Sequence, residues 1–131
     1  MKPVTTRNVK HRFEFDIKSS PFILFDFLST PSGLSQWFSD RVNVRYDTFI
    51  FYWEGISRTA KVLSKEEYKS IRFHWEDSPA DEYFEFEITS TELTEGTVLI
   101  ITDFGNSNEL KEDQLLWESQ IQELRNRLGG L

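Results

Sequence analysis

The most constraining feature of the sequence lies near its end. In "NELKEDQLLWESQIQELRNRLGG", Leu110, Gln114, Trp117, Ile121, Leu124 and Leu128 recur at spacings of four and three. That spacing places them on one stripe of a single long helix. Glu118, Gln122, Glu123, Arg125 and Arg127 mostly fall on the other side, with Glu123 and Arg127 set for an i,i+4 ion pair. Asn106 or Asn108 is placed to cap the start, and Gly129-Gly130 to stop the end. One amphipathic helix cannot bury its stripe alone, so the rest of the chain must present an apolar face to it.

That face is read from alternation. "HRFEFDI" puts His11, Phe13, Phe15 and Ile17 on one side and Arg12, Glu14 and Asp16 on the other, the pattern of a half-buried strand. "RVNVRY" alternates through Val42, Val44 and Tyr46, and Asp47-Thr48 reads as the turn into "FIFYWE". Gly55 interrupts before the weaker strand "ISRTAKVLS". "YKSIRFHWED" aligns Ile71, Phe73 and Trp75, and Ser78-Pro79-Ala80-Asp81 forms a loop. "EYFEFEIT" places Phe84, Phe86 and Ile88 inside; "TELTEGT" reads as a hairpin turn into the last strand, "VLIITDF". Short consecutive strands with tight turns predict an antiparallel sheet and argue against βαβ units.

Between the first strand and the rest, "SSP" is a helix start, with Ser20 as cap and Pro21 at the first position of a helix over 21–28. The signal repeats at once in "STPSGLSQWF": Thr30 caps, Pro31 begins, and Gly33 lets the backbone pass closely. Leu34, Trp37 and Phe38 belong to this second short helix. The predicted order is a strand, two short helices, about six strands and a long helix, an α+β architecture. With 131 residues and no internal repeat or linker, the chain 1–131 is expected to be a single domain.

Charge and composition remove several function classes. The net charge is −7 with basic residues scattered among more numerous acids, which disfavours nucleic acid and anionic membranes. No cysteine is present, so disulfides, thiolate nucleophiles and Cys-based zinc sites are excluded. The N-terminus lacks an apolar signal-peptide region, and no apolar run approaches the ~20 residues of a membrane span. The expected location is the cytoplasm. GxGxxG, P-loop, HExxH and GxSxG patterns are all missing, so no cofactor or nucleotide chemistry is indicated. The two histidines, His11 and His74, are expected to be structural or surface groups, with His11 leaning inward and His74 outward; no metal site is expected. Of the many carboxylates, Glu54 and Asp103 sit near strand ends. Burial in a cavity would raise the pKa of either and make it a candidate acid or base.

Aromatic residues are the main remaining signal, at 15% of the chain with 12 Phe and 4 Trp. A dry core accounts for them, and so does a hollow one. Tryptophan is a costly core residue because its N–H needs a partner, which favours a cavity wall.

Three stretches resemble the START-like superfamily, also called SRPBCC or helix-grip. "LSTPSGLSQWFSDRV" is similar to the segment after the first short helix in the branch named after the activator of the heat-shock ATPase chaperone. "SIRFHWED" resembles that branch's mid-sheet strand. "ITSTELTEGTVLIITDFG" with "LLWESQIQELRNRL" resembles its last hairpin and helix. The likeness runs roughly from Lys10 to Gly129. Leu116 departs from it, standing where the family often has glycine before the tryptophan, and would narrow a cavity there.

The resemblance implies a bent antiparallel sheet of about six to seven strands gripping the C-terminal helix around an apolar cavity. The expected function is non-catalytic binding of a small hydrophobic molecule, such as a lipid or aromatic metabolite. The expected lining is Trp37, Phe38, Phe51, Trp53, Phe73, Trp75, Phe86, Phe104, Trp117 and Ile121. Two alternatives stay open. One is a protein-interaction module similar to a chaperone co-activator. The other is a small cyclase-like enzyme, which needs Glu54, Asp103 or His11 to face the cavity.

Overall fold

The computed structural model describes residues 8–90 and 96–129. Strand β1 (Asn8–Ile17) leads into helices α1 (Pro21–Ser29) and α2 (Pro31–Leu34). Strands β2 (Arg41–Arg45), β3 (Thr48–Trp53), β4 (Ile56–Glu66), β5 (Ser70–Trp75), β6 (Phe84–Ser90) and β7 (Thr97–Asn106) follow. A 3₁₀ turn (Ser107–Glu109) then opens helix α3 (Leu110–Arg127). The seven strands form one sheet in the order β1-β7-β6-β5-β4-β3-β2, every neighbouring pair antiparallel. This is the α+β helix-grip arrangement, a curved sheet around a long C-terminal helix with two short helices after strand 1. The expected hairpin turn in "TELTEGT" lies largely outside the described residues, as does Gly130.

Local chemistry explains most boundaries. The Ile23 N–H donates to Ser20 Oγ at 3.2 Å, and Pro21 occupies the first turn of α1. Thr30 serves two helices at once: its Oγ1 donates to Asp26 O at 2.8 Å and accepts from the Gly33 N–H at 3.0 Å. A Cβ on Gly33 would lie 2.2 Å from Asp26 O and 2.6 Å from Phe27 Cα, so only glycine lets α2 turn this closely over α1. Helix α2 ends at Leu34, earlier than the sequence pattern implies. Residues 35–38 continue as turns, closed by Gln36 N–H to Gly33 O at 3.1 Å and Phe38 N–H to Leu34 O at 2.9 Å. The β2–β3 turn also falls one residue earlier than expected: Tyr46 has φ 58°, and Thr48 already pairs in β3.

The inward face of the sheet carries Phe13, Ile17, Phe49, Phe51, Ile71, Phe73, Phe84, Phe86, Leu99 and Ile101, all buried. Trp117, Ile121 and Leu124 of α3 pack on this face, and Leu128 packs partly against it. At the start of α3 the expected stripe fails. Leu110 is about half exposed and Gln114 is exposed, while Asp113, one turn before Trp117, meets β1. A polar contact to His11 thus replaces an apolar one at this end. Further along, Arg125 donates from Nη2 and Nε to Asp16 O at 2.7 and 3.2 Å and ties α3 to the end of β1. A register shift between β4 and β5 at Val62/Ser64 leaves Leu63 bulged and exposed, a device that bends a sheet.

Candidate ligand site

Phe38 sits where the corner after α2 meets the sheet and α3. Its ring lies 5.1–6.5 Å, centroid to centroid, from those of Phe51, Trp53, Trp75, Phe84 and Trp117. On one side of Phe38 the packing is closed: Phe51, Phe73, Phe86 and Ile121 are wholly buried. On the other side lies a cavity of about 400 Å³, open to solvent and lined by Phe38, Trp53, Arg58, Trp75, Phe84, Asp103, Leu116, Trp117 and Gln120. The ends of β3, β5 and β7 and the starts of β4 and β6 meet there, because the antiparallel order β7-β6-β5-β4-β3 puts them at one edge of the sheet, and one turn of α3 crosses that edge.

The structure therefore divides the expected lining. Phe38, Trp53, Trp75 and Trp117 reach the cavity. Phe51, Phe73, Phe86 and Ile121 stand behind it as core. Trp37 is buried, with its ring 5.5 Å from Phe86, and borders a neighbouring cleft with Ser35, Gln36 and Gln120. Phe104 is out of phase with Asp103 on β7; it packs on Tyr83 at 5.1 Å and borders an adjoining polar cleft that shares Arg58, Trp75 and Asp103 with the cavity. Strand alternation alone separates Phe104 from the inward set. Phe84, Arg58 and Gln120 complete the wall without having been singled out in the sequence. Phe84 was legible in the alternation of β6, whereas Arg58 and Gln120 had no signal. Leu116 is exposed and lines the rim.

The tryptophan argument for a hollow core needs correction. Trp37 Nε1 donates to Phe27 O at 2.8 Å, Trp53 Nε1 to Phe38 O at 3.0 Å, and Trp117 Nε1 to Asp103 Oδ2 at 3.2 Å. The N–H groups of these three are satisfied inside the protein, so they do not call for a ligand.

The polar groups are arranged unevenly. Asp103 lies in the wall; its Oδ1 accepts from the Phe104 N–H at 2.8 Å and its Oδ2 from Trp117. Burial raises its pKa from the ordinary 3.8 to about 6, and the charge of Asp113 pushes the same way; the two hydrogen bonds and His11 oppose the rise. His11 pairs with Asp103 across β1 and β7 and is buried. Its Nδ1 lies 2.9 Å from Asp113 Oδ2, and its Nε2 has no partner among the described residues. Gly105 leaves room for the imidazole, since a Cβ there would come within 3.1 Å of His11 Cε1. Glu54 is exposed, in the β3–β4 turn. His74 is half-buried on the outward face and bonds through Nδ1 to Glu82 O at 2.8 Å. At the lip, the Arg58 guanidinium lies 4.0 Å from the Trp75 ring centroid. Its Nη2 and Nε donate to the two carboxylate oxygens of Asp77 at 2.6 and 3.1 Å. That pairing holds the Asp77 carboxyl below its ordinary range. Among the described residues, no three His, Asp or Glu side chains converge in a metal-ligand cluster, and no helix is long and apolar enough to cross a membrane.

A curved antiparallel sheet closed on a C-terminal helix, with a cavity at the mouth between them, defines the helix-grip class. The chain belongs to the START-like superfamily, whose domain profile matches residues 5–130. Among solved structures, it is similar to BfR322 from Bacteroides fragilis, at 36% identity over 95% of this chain and 94% of that one, with a TM-score of 0.68. It is also similar to the Aha1 dimer from Colwellia psychrerythraea, at 19% identity over 93% and 98% of the two chains, with a TM-score of 0.77. A third likeness is to DynU16, a putative protein in the dynemicin biosynthetic locus, at 14% identity over 91% of this chain and 46% of that one, TM-score 0.74. The last two likenesses show the fold alone. No curated protein matches the chain.

Proposed function

We propose that the protein binds a small hydrophobic molecule, a lipid or aromatic metabolite, in the cavity between the sheet and α3. One observation carries this reading: a cavity of about 400 Å³ walled by Phe38, Trp53, Trp75, Phe84 and Trp117. Ligand sites are concave and mostly apolar, with a few placed polar groups, and this volume falls in their usual range. The lack of cysteine fits a reducing compartment, and the cytoplasm is the proposed location. The test is a panel of apolar compounds followed by tryptophan fluorescence and thermal shift. Binding should change the emission of Trp53, Trp75 and Trp117 and raise Tm by mass action. Trp53→Ala and Trp75→Ala should weaken it. A broad panel that moves neither signal would refute the reading.

A second reading, a small cyclase-like enzyme, is favoured by Asp103. It is the one member of the expected acid–base trio that lines the cavity, and its pKa of about 6 suits proton transfer near neutrality. DynU16, a structural relative, belongs to a biosynthetic locus. Turnover of a bound ligand that stops in Asp103→Asn would establish catalysis. A ligand recovered chemically unchanged after long incubation would refute it.

A further inference from the structure

We propose that the ligand of this cavity carries a positive charge, a protonated amine or quaternary nitrogen on an apolar body, and that Asp103 is its counter-ion. The inference rests on the binding reading above and specifies its ligand class. Asp103 is in no ion pair among the described residues, although it lies in the wall of an aromatic cavity. Carboxylates in such surroundings are normally paired. Each of its oxygens accepts one N–H, from Phe104 and from Trp117, and a carboxylate oxygen has a further lone pair to offer.

The other charges nearby do not supply the partner. From α3, Asp113 faces Asp103 and has the same sign; it is held by His11 Nδ1 of β1 at 2.9 Å. From β4, Arg58 is committed to both oxygens of Asp77 beyond β5. The unbalanced charge of the wall is therefore that of Asp103. The rings complete the argument. Indole faces attract cations, most of all when desolvated. This wall already holds a guanidinium carbon 4.0 Å from the Trp75 ring centroid. An anionic head would face the Asp103 carboxylate, and Arg58 in the same wall is already paired with Asp77, so free fatty acids and other carboxylates are disfavoured. The net charge of −7 draws cations in the same sense.

The raised pKa of Asp103 fits a carboxylate awaiting a cation, and an incoming ammonium should lower it. Binding should therefore weaken as pH falls through about 6, where Asp103 takes up its proton.

Three probes sharing one ring system separate the possibilities: naphthylethylamine, naphthylethanol and naphthylacetate. Calorimetry on the intact protein at about pH 8 should show the amine binding roughly tenfold or more tighter than the alcohol, and the acetate weakest. In Asp103→Asn the amine-to-alcohol ratio should fall towards one. In the wild type, a titration from about pH 8 to 5 should reduce the same ratio, which tests the assignment without any variant. An alcohol that binds as tightly as the amine overturns the cation inference and leaves the apolar-ligand reading standing. Tightest binding of the acetate does the same. A ratio that survives in Asp103→Asn overturns the assignment to this residue. Failure of all three probes in both proteins overturns the inference, and the binding reading falls with it only if the broad apolar panel also moves neither signal.

Discussion

Replacing Asp103 by asparagine should stabilise the protein at neutral pH, and the gain should vanish in mild acid. In the folded chain the carboxyl titrates at about 6 instead of 3.8, chiefly because it is buried. Between those values the folded protein holds a proton that the unfolded chain has released. Stability therefore falls as pH rises from about 4 to about 6, and above that range the full cost of the buried charge is present. A displacement of about two pH units corresponds to roughly 3 kcal/mol, an upper bound because Asp103 is partly exposed at the cavity wall. Asparagine carries no such charge. It has one acceptor oxygen, however, and cannot serve both the Phe104 N–H and Trp117 Nε1. The lost hydrogen bond costs about 1 kcal/mol at every pH. The variant should thus be more stable by about 2 kcal/mol near pH 8 and about equal to the wild type near pH 4.5, where roughly 1 kcal/mol of remaining charge cost offsets the lost hydrogen bond. The change between the two conditions is free of the hydrogen-bond term. Urea unfolding followed by tryptophan fluorescence at both pH values measures it, with m unchanged. A variant whose stability depends on pH as the wild type's does, or that is weaker near pH 8, would refute the buried-charge account.

Gly33→Ala should lower stability by at least about 2 kcal/mol despite alanine's better helix propensity, because the new Cβ meets backbone atoms of Asp26 and Phe27 that cannot yield; thermal unfolding reads it, and an unchanged Tm would contradict the packing of α2 on α1. Trp117→Phe keeps an aromatic ring but removes the donor that stabilises the Asp103 anion. The Asp103 midpoint should then move above about 6, as followed by carboxyl-carbon NMR. Arg58→Ala breaks an exposed bidentate pair and should cost less than about 1 kcal/mol. Released from Arg58, the Asp77 carboxyl should titrate nearer its ordinary range, so the small stability that Arg58 adds is lost as pH falls through the carboxylate range in the wild type only.

Much of the fold was legible because its signals are local. Ser20-Pro21 and Thr30-Pro31 start helices through bonds to N–H groups three residues on, and the structure makes those bonds. The alternation in β1, β3, β5 and β6 follows from strand geometry and sorts Phe13, Phe51, Phe73 and Phe84 inward. Phe104 and Asp103 were not sorted in this way: Phe104 was expected in the lining, and the structure turns it outward against Tyr83 while Asp103 lines the cavity. The failed part of the α3 stripe was not legible: whether Leu110 or Asp113 meets the sheet depends on how the helix crosses β1, and His11 decided it. The second short helix was overextended because the period of Leu34, Trp37 and Phe38 suits both a helix and a chain of turns.

The sequence by itself determined that one amphipathic helix and a series of alternating strands must close on each other, since neither can bury its apolar face alone. Tertiary structure decided which aromatic rings close the core and which stand around a cavity. Burial depends on how far the sheet bends and where α3 crosses it, and those are set by contacts between residues distant in the chain, such as Arg125 with Asp16 and Trp117 with Asp103. It also decided the charge of the site. Asp103 is one of 22 acidic residues in the sequence, and among the described residues it is left without an ion pair while Arg58 is turned to Asp77 and His11 to Asp113.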